Sequence, residues 1–208
     1  MFVEHVEKMG QTKKGNLMTD IIDQSVTFRL IKERIALTSN KRHLKMLEQL
    51  LKHAEGEAVA DLDAVMETLS VNPSYHSYGS GPNMNPVGRD AVHKFYVEEI
   101  VNGGKHYFEY DLDRLVVDDD AIVTEGNFKA LYWGHDAQKA GLPADDPESF
   151  YLFYVRMLIV WPFDKDANIT GEDSYSAITR PDFLQKIENS QVPSAFRAYL
   201  DRRLAASS

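Results

Sequence analysis

Apolar residues recur with helical spacing along the first half of the chain. Residues 44–58 and residues 61–72 each carry an apolar face with a period of three to four positions, which predicts two amphipathic helices. Gly56 predicts a break between them, Asp61 is a candidate cap for the second helix, and Pro73 predicts its end. The two helices are therefore expected to cover one side of a core.

A third helix is predicted over residues 89–102, because Val92, Phe95, Tyr96 and Ile100 fall on one face. The period then changes. Four later stretches are rich in aromatic and β-branched residues and are predicted as strands: 106–117, 121–132, 150–163 and 169–178. Short polar turns at 118–120 and 164–168 connect them in pairs, and a surface loop is expected at 134–149.

Helices followed by a meander of long strands predict an α+β protein. A strongly twisted antiparallel sheet must curve, and helices packed on its concave face leave a cone-shaped pocket for a small, largely apolar ligand. The 208 residues suit one core, with an N-terminal helical arm at 1–40, the cone-shaped domain at 41–178 and a C-terminal helical extension at 179–208.

Composition excludes several classes of function. The net charge of −9 and the lack of a basic cluster argue against nucleic acid as a partner. The absence of cysteine excludes disulfides and thiolate sites, and it favours a cytoplasmic location. The sequence shows neither a secretory signal nor an apolar run long enough for a bilayer, so no membrane association is expected.

Three strings resemble the nuclear transport factor 2-like superfamily: HAEGEAVADLDAVMETLSVNPSYHSYG, GRDAVHKFY and ITGEDSYS. The likeness covers about residues 42–178 and points to the branch of ketosteroid isomerases, SnoaL-like polyketide cyclases, scytalone dehydratase and limonene epoxide hydrolase. It implies the cone fold and leaves the reaction open, because this fold serves isomerisation, cyclisation, dehydration, hydrolysis and binding alike.

The resemblance places few catalytic residues. The epoxide hydrolases use an arginine and an aspartate two residues apart in a middle strand, where this chain has Gly126 and Phe128, so that mechanism is disfavoured. The last strand of the family often directs an acid into the cavity, and Glu172 or Asp173 matches that position to within one residue.

Two charged residues interrupt apolar strands. Arg156 needs a carboxylate or a pocket, and Glu172 and Asp173 are its expected partners, either as a structural ion pair or as a site that orients an anionic or enol oxygen. Glu125 is either an outward-facing residue or an acid whose pKa is raised by burial, unless Arg156 or Lys129 pairs with it.

Alternation along residues 75–78 places Tyr75 and Ser77 on one side, with His76 and Tyr78 on the other. One pair is expected to face the pocket. His76 is a candidate for proton transfer, although a structural role is an alternative. The aromatic residues expected to bind the substrate are Tyr75, Tyr78, Tyr96, Tyr110, Tyr132, Tyr154 and Trp161.

The residues His53, Glu57 and Asp61 have a spacing that is similar to that of metal ligands. Because a helix break at Gly56 would separate them, a solvated surface is favoured and no metal site is predicted. Nucleotide-binding glycine motifs and a nucleophile elbow are absent from the sequence, so no organic cofactor is expected.

The first functional hypothesis is an acid–base lyase or isomerase that works without a cofactor on a hydrophobic, ring-containing molecule. Its catalytic candidates are Arg156, Glu172, Asp173, Glu125 and His76. The alternative is a non-catalytic ligand-binding or dimerisation module, in which these groups pair with one another and aromatic side chains fill the cavity. The arm and the exposed sheet face predict a homodimer or a higher homo-oligomer.

Overall fold

The computed structural model describes residues 21–78 and 85–206. These residues form six α-helices and one six-stranded sheet. The helices are α1 (Ser25–Leu37), α2 (Lys41–Val59), α3 (Leu62–Glu67), α4 (Arg89–Tyr96), α5 (Gly134–Lys139) and α6 (Ser194–Ala206). The strands are β1 (Leu69–Tyr78), β2 (Phe108–Val117), β3 (Ala121–Trp133), β4 (Phe150–Pro162), β5 (Ile169–Ala177) and β6 (Leu184–Ile187).

The sheet has the order β1-β5-β4-β3-β2, with β6 paired to β4. All pairs are antiparallel except β1 with β5. The strands β3 and β4 each have 13 residues, and a twisted sheet of such long strands curves. Helices pack on its concave face, so the predicted α+β cone is confirmed.

The four predicted strands are confirmed within a few residues, and so are the two polar turns. The Asp118 amide donates to the Ala121 carbonyl at 2.9 Å, and the Asp164 amide donates to the Asn168 carbonyl at 2.9 Å. The predicted loop at 134–149 contains the short helix α5. Strand β6 was not predicted.

Helix α2 runs through Gly56 without a break, so the predicted break is wrong. A Cβ atom at this position would lie 2.9 Å from Cγ2 of Val65, so glycine allows α2 and α3 to pack closely. The helix ends at Ala60, which has a left-handed φ of 57°. The side chain of Asp61 accepts a hydrogen bond from the Ala64 amide at 3.0 Å, which confirms the predicted cap.

The second and third predicted helices differ from the prediction in where or how they end. Helix α3 ends at Glu67, before Pro73, because the following residues pair with β5 as strand β1. Pro73 is tolerated there since β1 is an edge strand. The third predicted helix is confirmed over its length, but its second half, Val97–Val101, is a π-turn, in which the Asn102 amide donates to the Val97 carbonyl at 2.9 Å.

Both ends of the described chain pack on the sheet. Helix α1 contacts α2 and β2, and its Thr27 hydroxyl accepts from the Tyr110 amide at 3.0 Å. The part of the predicted arm at 1–20 lies outside the described residues. Helix α6 packs Phe196 and Leu200 against Leu131, on the convex side of the sheet. Among the described helices none is long and apolar enough to cross a membrane.

Candidate active site

A cavity of about 1150 Å³ lies between the helices and the concave face of the sheet. Its walls are mainly apolar, and they include Ile31, Leu50, Phe95, Phe128, Met157 and Trp161. Exposed residues such as Glu98 and Lys139 also border it, which marks its opening to solvent. The volume is at the upper end of that of small-molecule pockets and suits a ligand of several rings.

Strand alternation decides which polar side chains reach the cavity. Even-numbered residues of β3, such as Thr124 and Phe128, line it, as do odd-numbered residues of β4, such as Met157. Glu125 and Arg156 have the opposite parity and lie on the convex face. There Nη2 of Arg156 donates to Oε1 of Glu125 at 2.7 Å.

This placement corrects the expectation for Arg156. Its second partner is Asp113, and Glu125 also binds Arg114, so Glu172 and Asp173 are not its partners. The hydrogen bond from Arg156, with further help from the charge of Arg114, lowers the pKa of Glu125, whereas an unpaired buried acid would have a raised pKa. The cluster stabilises the convex face and does not contact the cavity.

Glu172 is the acid that reaches the cavity. It pairs in register with Tyr75 across β1 and β5, so the two side chains are neighbours on the same face of the sheet. Among the described residues, Glu172 has no hydrogen-bond or ion-pair partner. Burial, followed by the charges of Glu57 and Asp173, raises the pKa of Glu172 to about 8. The side chain is therefore protonated in most molecules at pH 7.

His76 and Asp173 form a second pair one residue further along the same strands. Nδ1 of His76 lies 2.6 Å from Oδ1 of Asp173, and both side chains are partly exposed. His76 borders the cavity, whereas Tyr78 stacks on Tyr175 outside it, with ring centroids 4.5 Å apart. The pair therefore lies at the rim of the cavity and forms no hydrogen bond with Glu172.

His53 and Glu57 belong to the site, although the sequence interpretation placed them on a solvated surface. That interpretation is wrong because α2 is continuous and turns Leu50, Ala54 and Glu57 toward the cavity. His53 is completely buried, and its Nε2 lies 3.5 Å from Oε1 of Glu57. The helical spacing of these residues with the apolar Leu50 was the available signal.

A chain of hydrogen bonds connects His53 to the cavity wall. Nδ1 of His53 lies 2.8 Å from the Thr68 hydroxyl, and Nε2 lies 2.9 Å from the Tyr96 hydroxyl. The Tyr96 hydroxyl is in turn 2.8 Å from that of Tyr75. Burial raises the pKa of both tyrosines well above its ordinary value, so both remain phenols at neutral pH.

The other predicted aromatic residues divide into two groups. Tyr110, Tyr132 and Trp161 line the cavity. The Trp161 indole donates to the Thr124 hydroxyl at 3.0 Å. Tyr154 lies outside, where Arg180 stacks over its ring at 4.9 Å. Five of the seven predicted aromatic residues, Tyr75 and Tyr96 included, therefore border the cavity.

Near the exposed part of the cavity wall, two pairs of oppositely charged groups compensate each other. Lys105 pairs with Glu99, and Nη2 of Arg203 lies 2.6 Å from Oδ2 of Asp136. Burial lowers the pKa of Lys105, but Tyr132 and Glu99 raise it by more, so the lysine is charged. Among the described carboxyl groups that line the cavity, that of Glu172 has neither a hydrogen bond nor an ion pair.

The donor atoms of His53, Glu57 and Glu172 lie within 4.8 Å of one another, a spacing that a metal ion would also require. However, the lone pair of Nε2 that would bind an ion faces the Tyr96 hydroxyl, which an ion would have to displace. The arrangement therefore fits the exchange of protons better than the coordination of a metal.

Solved structures with the same fold include a candidate SnoaL-like polyketide cyclase from Shewanella putrefaciens CN-32, with 8% identity and a TM-score of 0.55 over 76% of this chain and 90% of that one. A second candidate of this kind, from Jannaschia sp. CCS1, has 13% identity and a TM-score of 0.52 over 67% and 90% of the two chains. An NTF2-like protein from Anabaena variabilis has 14% identity and a TM-score of 0.51 over 68% and 93%. No protein-family model and no curated protein matches the sequence. At these identities the likeness shows the fold alone, which is the NTF2-like cone.

Proposed function

We infer that the protein is an acid–base enzyme, a lyase or an isomerase, that acts on a hydrophobic, ring-containing small molecule. The observation that carries this inference is Glu172, an unpaired carboxyl group in an apolar cavity whose pKa is about 8. A group with a pKa near the working pH is an efficient proton donor or acceptor. A merely structural acid would be paired, as Glu125 is with Arg156.

Two carboxyl groups of the cavity, those of Glu172 and Glu57, suit opposite roles. Protonated Glu172 donates to an oxygen of the substrate, while the Glu57 carboxylate accepts a proton from a neighbouring carbon. Their ligand atoms lie within 4.8 Å of each other, so one substrate can contact both. Elimination and double-bond migration both need only such a pair, held at a fixed position relative to the bound substrate.

The shape and lining of the cavity support a substrate with rings. Aromatic and aliphatic side chains form most of the wall, and the volume of about 1150 Å³ admits a polycyclic or polyketide-like molecule. The candidate polyketide cyclases among the solved structures share the fold, which makes such compounds a reasonable first set to test.

The test is a turnover screen with polycyclic alcohols and ketones, steroids and polyketide-like ketones, followed by mass spectrometry. Glu172→Gln and Glu57→Gln are each expected to lower kcat by at least about 100-fold. The matched control Glu125→Gln, on the convex face, is expected to retain the activity of the wild type. Turnover that survives Glu172→Gln would contradict the proposal.

The alternative is a non-catalytic ligand-binding or dimerisation module. It predicts that Glu125, Arg156, Glu172 and Asp173 pair with one another and that aromatic side chains fill the cavity. Asp173 and Glu125 are paired, but Glu172 is not, and the cavity is open. Ligands that raise the Tm without any change of mass across the screen would favour this alternative.

A further inference from the structure

The hydrogen bonds around Thr68 determine which group is the donor and which is the acceptor along the buried series His53, Tyr96 and Tyr75. The Thr68 hydroxyl donates its only proton to the Val65 carbonyl at 2.6 Å. Its oxygen can therefore only accept from Nδ1 of His53, which lies 2.8 Å away. With one ring proton, held on Nδ1 by Thr68, His53 has a lone pair on Nε2. This lone pair accepts from the Tyr96 hydroxyl at 2.9 Å, which is closer to Nε2 than the Glu57 carboxylate at 3.5 Å.

The same argument continues to the cavity. Because the one proton of the Tyr96 hydroxyl is used toward His53, the contact of 2.8 Å between the two phenols requires Tyr75 to donate to Tyr96. The Tyr75 oxygen then has a lone pair and no proton for a ligand. Its neighbour in the sheet is Glu172, which is the available proton donor.

We propose that the substrate carries a hydroxyl group. This hydroxyl donates a hydrogen bond to the oxygen of Tyr75, and its own oxygen accepts a hydrogen bond from the carboxyl group of Glu172. This inference rests on the proposed acid–base function and narrows it to the elimination of water. A ketone is a poorer ligand, because its oxygen would face the lone pair of Tyr75 without a proton between them. Thr68 and His53 are positioning residues, since they act through Tyr96 and Tyr75.

The reaction balances with these groups alone. The C–O bond breaks, and the oxygen leaves as water with its own hydrogen and the proton from Glu172. Glu57 takes a proton from the adjacent carbon, and the electron pair of that C–H bond becomes the second bond of the C=C product. A proton then returns from Glu57 to Glu172, which restores the starting state.

The test compares the binding of 9-fluorenol and 9-fluorenone, a rigid alcohol and the matching ketone. Fluorenol has no hydrogen on the carbons next to its alcohol carbon that can be removed, so it binds without reacting. The wild type is expected to bind the alcohol about tenfold more tightly, which corresponds to one hydrogen bond. Isothermal titration calorimetry at pH 7 gives both Kd values.

Substitution of Thr68 tests whether the donor and acceptor order of these hydrogen bonds, and not side-chain packing, determines the preference for the alcohol. Thr68→Val removes the acceptor for Nδ1, which frees His53 to carry its proton on Nε2 and to reverse the chain. The preference for the alcohol should then fall below about twofold. The matched control Thr68→Ser retains the hydroxyl and should retain the tenfold preference. Nitrogen-15 NMR, with the signals assigned by their loss in His53→Gln, should show the proton on Nδ1 in the wild type and on Nε2 in Thr68→Val.

Several results would overturn the proposal. These are equal or weaker binding of the alcohol, no binding of either compound, or a His53 that carries its proton on Nε2 or on both nitrogens in the wild type. The proposal would also be overturned if Thr68→Val still prefers the alcohol although its His53 carries the proton on Nε2. Failure of the proposed function is a separate result, because Glu172→Gln should abolish turnover yet retain the preference for the alcohol.

Discussion

At the scale of the residue, the Glu172 carboxyl is disfavoured as an anion for two reasons. It is half-buried in the wall of a mainly apolar cavity, which removes water from the carboxyl group, and the Glu57 carboxylate is close to it, with Asp173 adding a smaller effect. No lysine or arginine among the described residues forms an ion pair with Glu172 that would stabilise its anion. The carboxyl group of Glu172 is therefore uncharged at neutral pH, as a proton donor requires.

This has a measurable effect on stability. In the unfolded chain Glu172 ionises near its ordinary pKa of 4.5, whereas in the folded protein it ionises near 8. The folded state thus binds more protons between these values, and its stability falls as the pH rises through them. Glu172→Gln cannot ionise, so it is expected to match the wild type at pH 4 and to exceed its free energy of unfolding by up to about 4 kcal/mol at pH 9.

Urea denaturation as a function of pH measures this difference. The control is Glu98→Gln, which makes the same substitution at an exposed glutamate of the cavity edge. A constant difference between Glu172→Gln and the wild type over this pH range would contradict the assignment.

Arg156 provides a second prediction for a single residue. Its guanidinium binds Glu125 and Asp113 on the face of the sheet away from the cavity. Arg156→Met is therefore expected to lower the free energy of unfolding by about 1 kcal/mol and to leave kcat and KM within twofold of the wild type. A loss of turnover of tenfold or more, in a protein that remains folded, would show that the convex cluster acts on the site.

Single residues also show what the sequence could and could not predict. Glu172 was a candidate because the last strand of the family that the sequence resembles often directs an acid into the cavity. For Arg156 the sequence left a structural ion pair and a pocket site open, because β4 is apolar on both faces, which conceals the alternation. The reason for the second apolar face lies in α6, which covers Leu131 and Phe150 on the convex side. Such a contact between distant segments leaves no local pattern.

At the scale of the element, the predicted helices and strands were largely confirmed because their periods are clear. His53 and Glu57 were missed because Gly56 was interpreted as a helix break and because other charged residues share their face. The glycine in fact serves close packing of α2 on α3. Propensity alone cannot distinguish these two uses of glycine, since the second depends on Val65, nine positions away.

A substitution at this contact tests the explanation. Alanine is the better helix former, yet its Cβ would lie 2.9 Å from Cγ2 of Val65. Gly56→Ala is therefore expected to lower the free energy of unfolding by about 1–2 kcal/mol. In a Val65→Ala background the same change should cost less, because the nearest clashing atom is gone. If Gly56→Ala stabilises the wild type, the close approach of the two helices is wrong.

At the scale of the whole molecule, the sheet curves around the cavity, and residues 21–78 and 85–206 cover only part of its convex face. Helix α6 packs on one region, while the exposed Tyr78 and Tyr175 lie on another. The predicted homodimer would use this face or the N-terminal arm. Light scattering coupled to gel filtration is expected to give twice the chain mass of 23.6 kDa, and a mass of one chain would contradict it. The cytoplasmic location stays a prediction.

The central claim is that Glu172 is a protonated acid at neutral pH, first because its carboxyl group is removed from water and second because Glu57 lies beside it. Carbon-13 NMR of protein labelled at the glutamate side-chain carboxyl carbon measures this directly, with the signal assigned by its loss in Glu172→Gln. The signal is predicted to titrate with a pKa of about 8 in the wild type and with a lower pKa in Glu57→Gln. Titration of Glu172 near its ordinary pKa of 4.5 in the folded wild type would contradict the account.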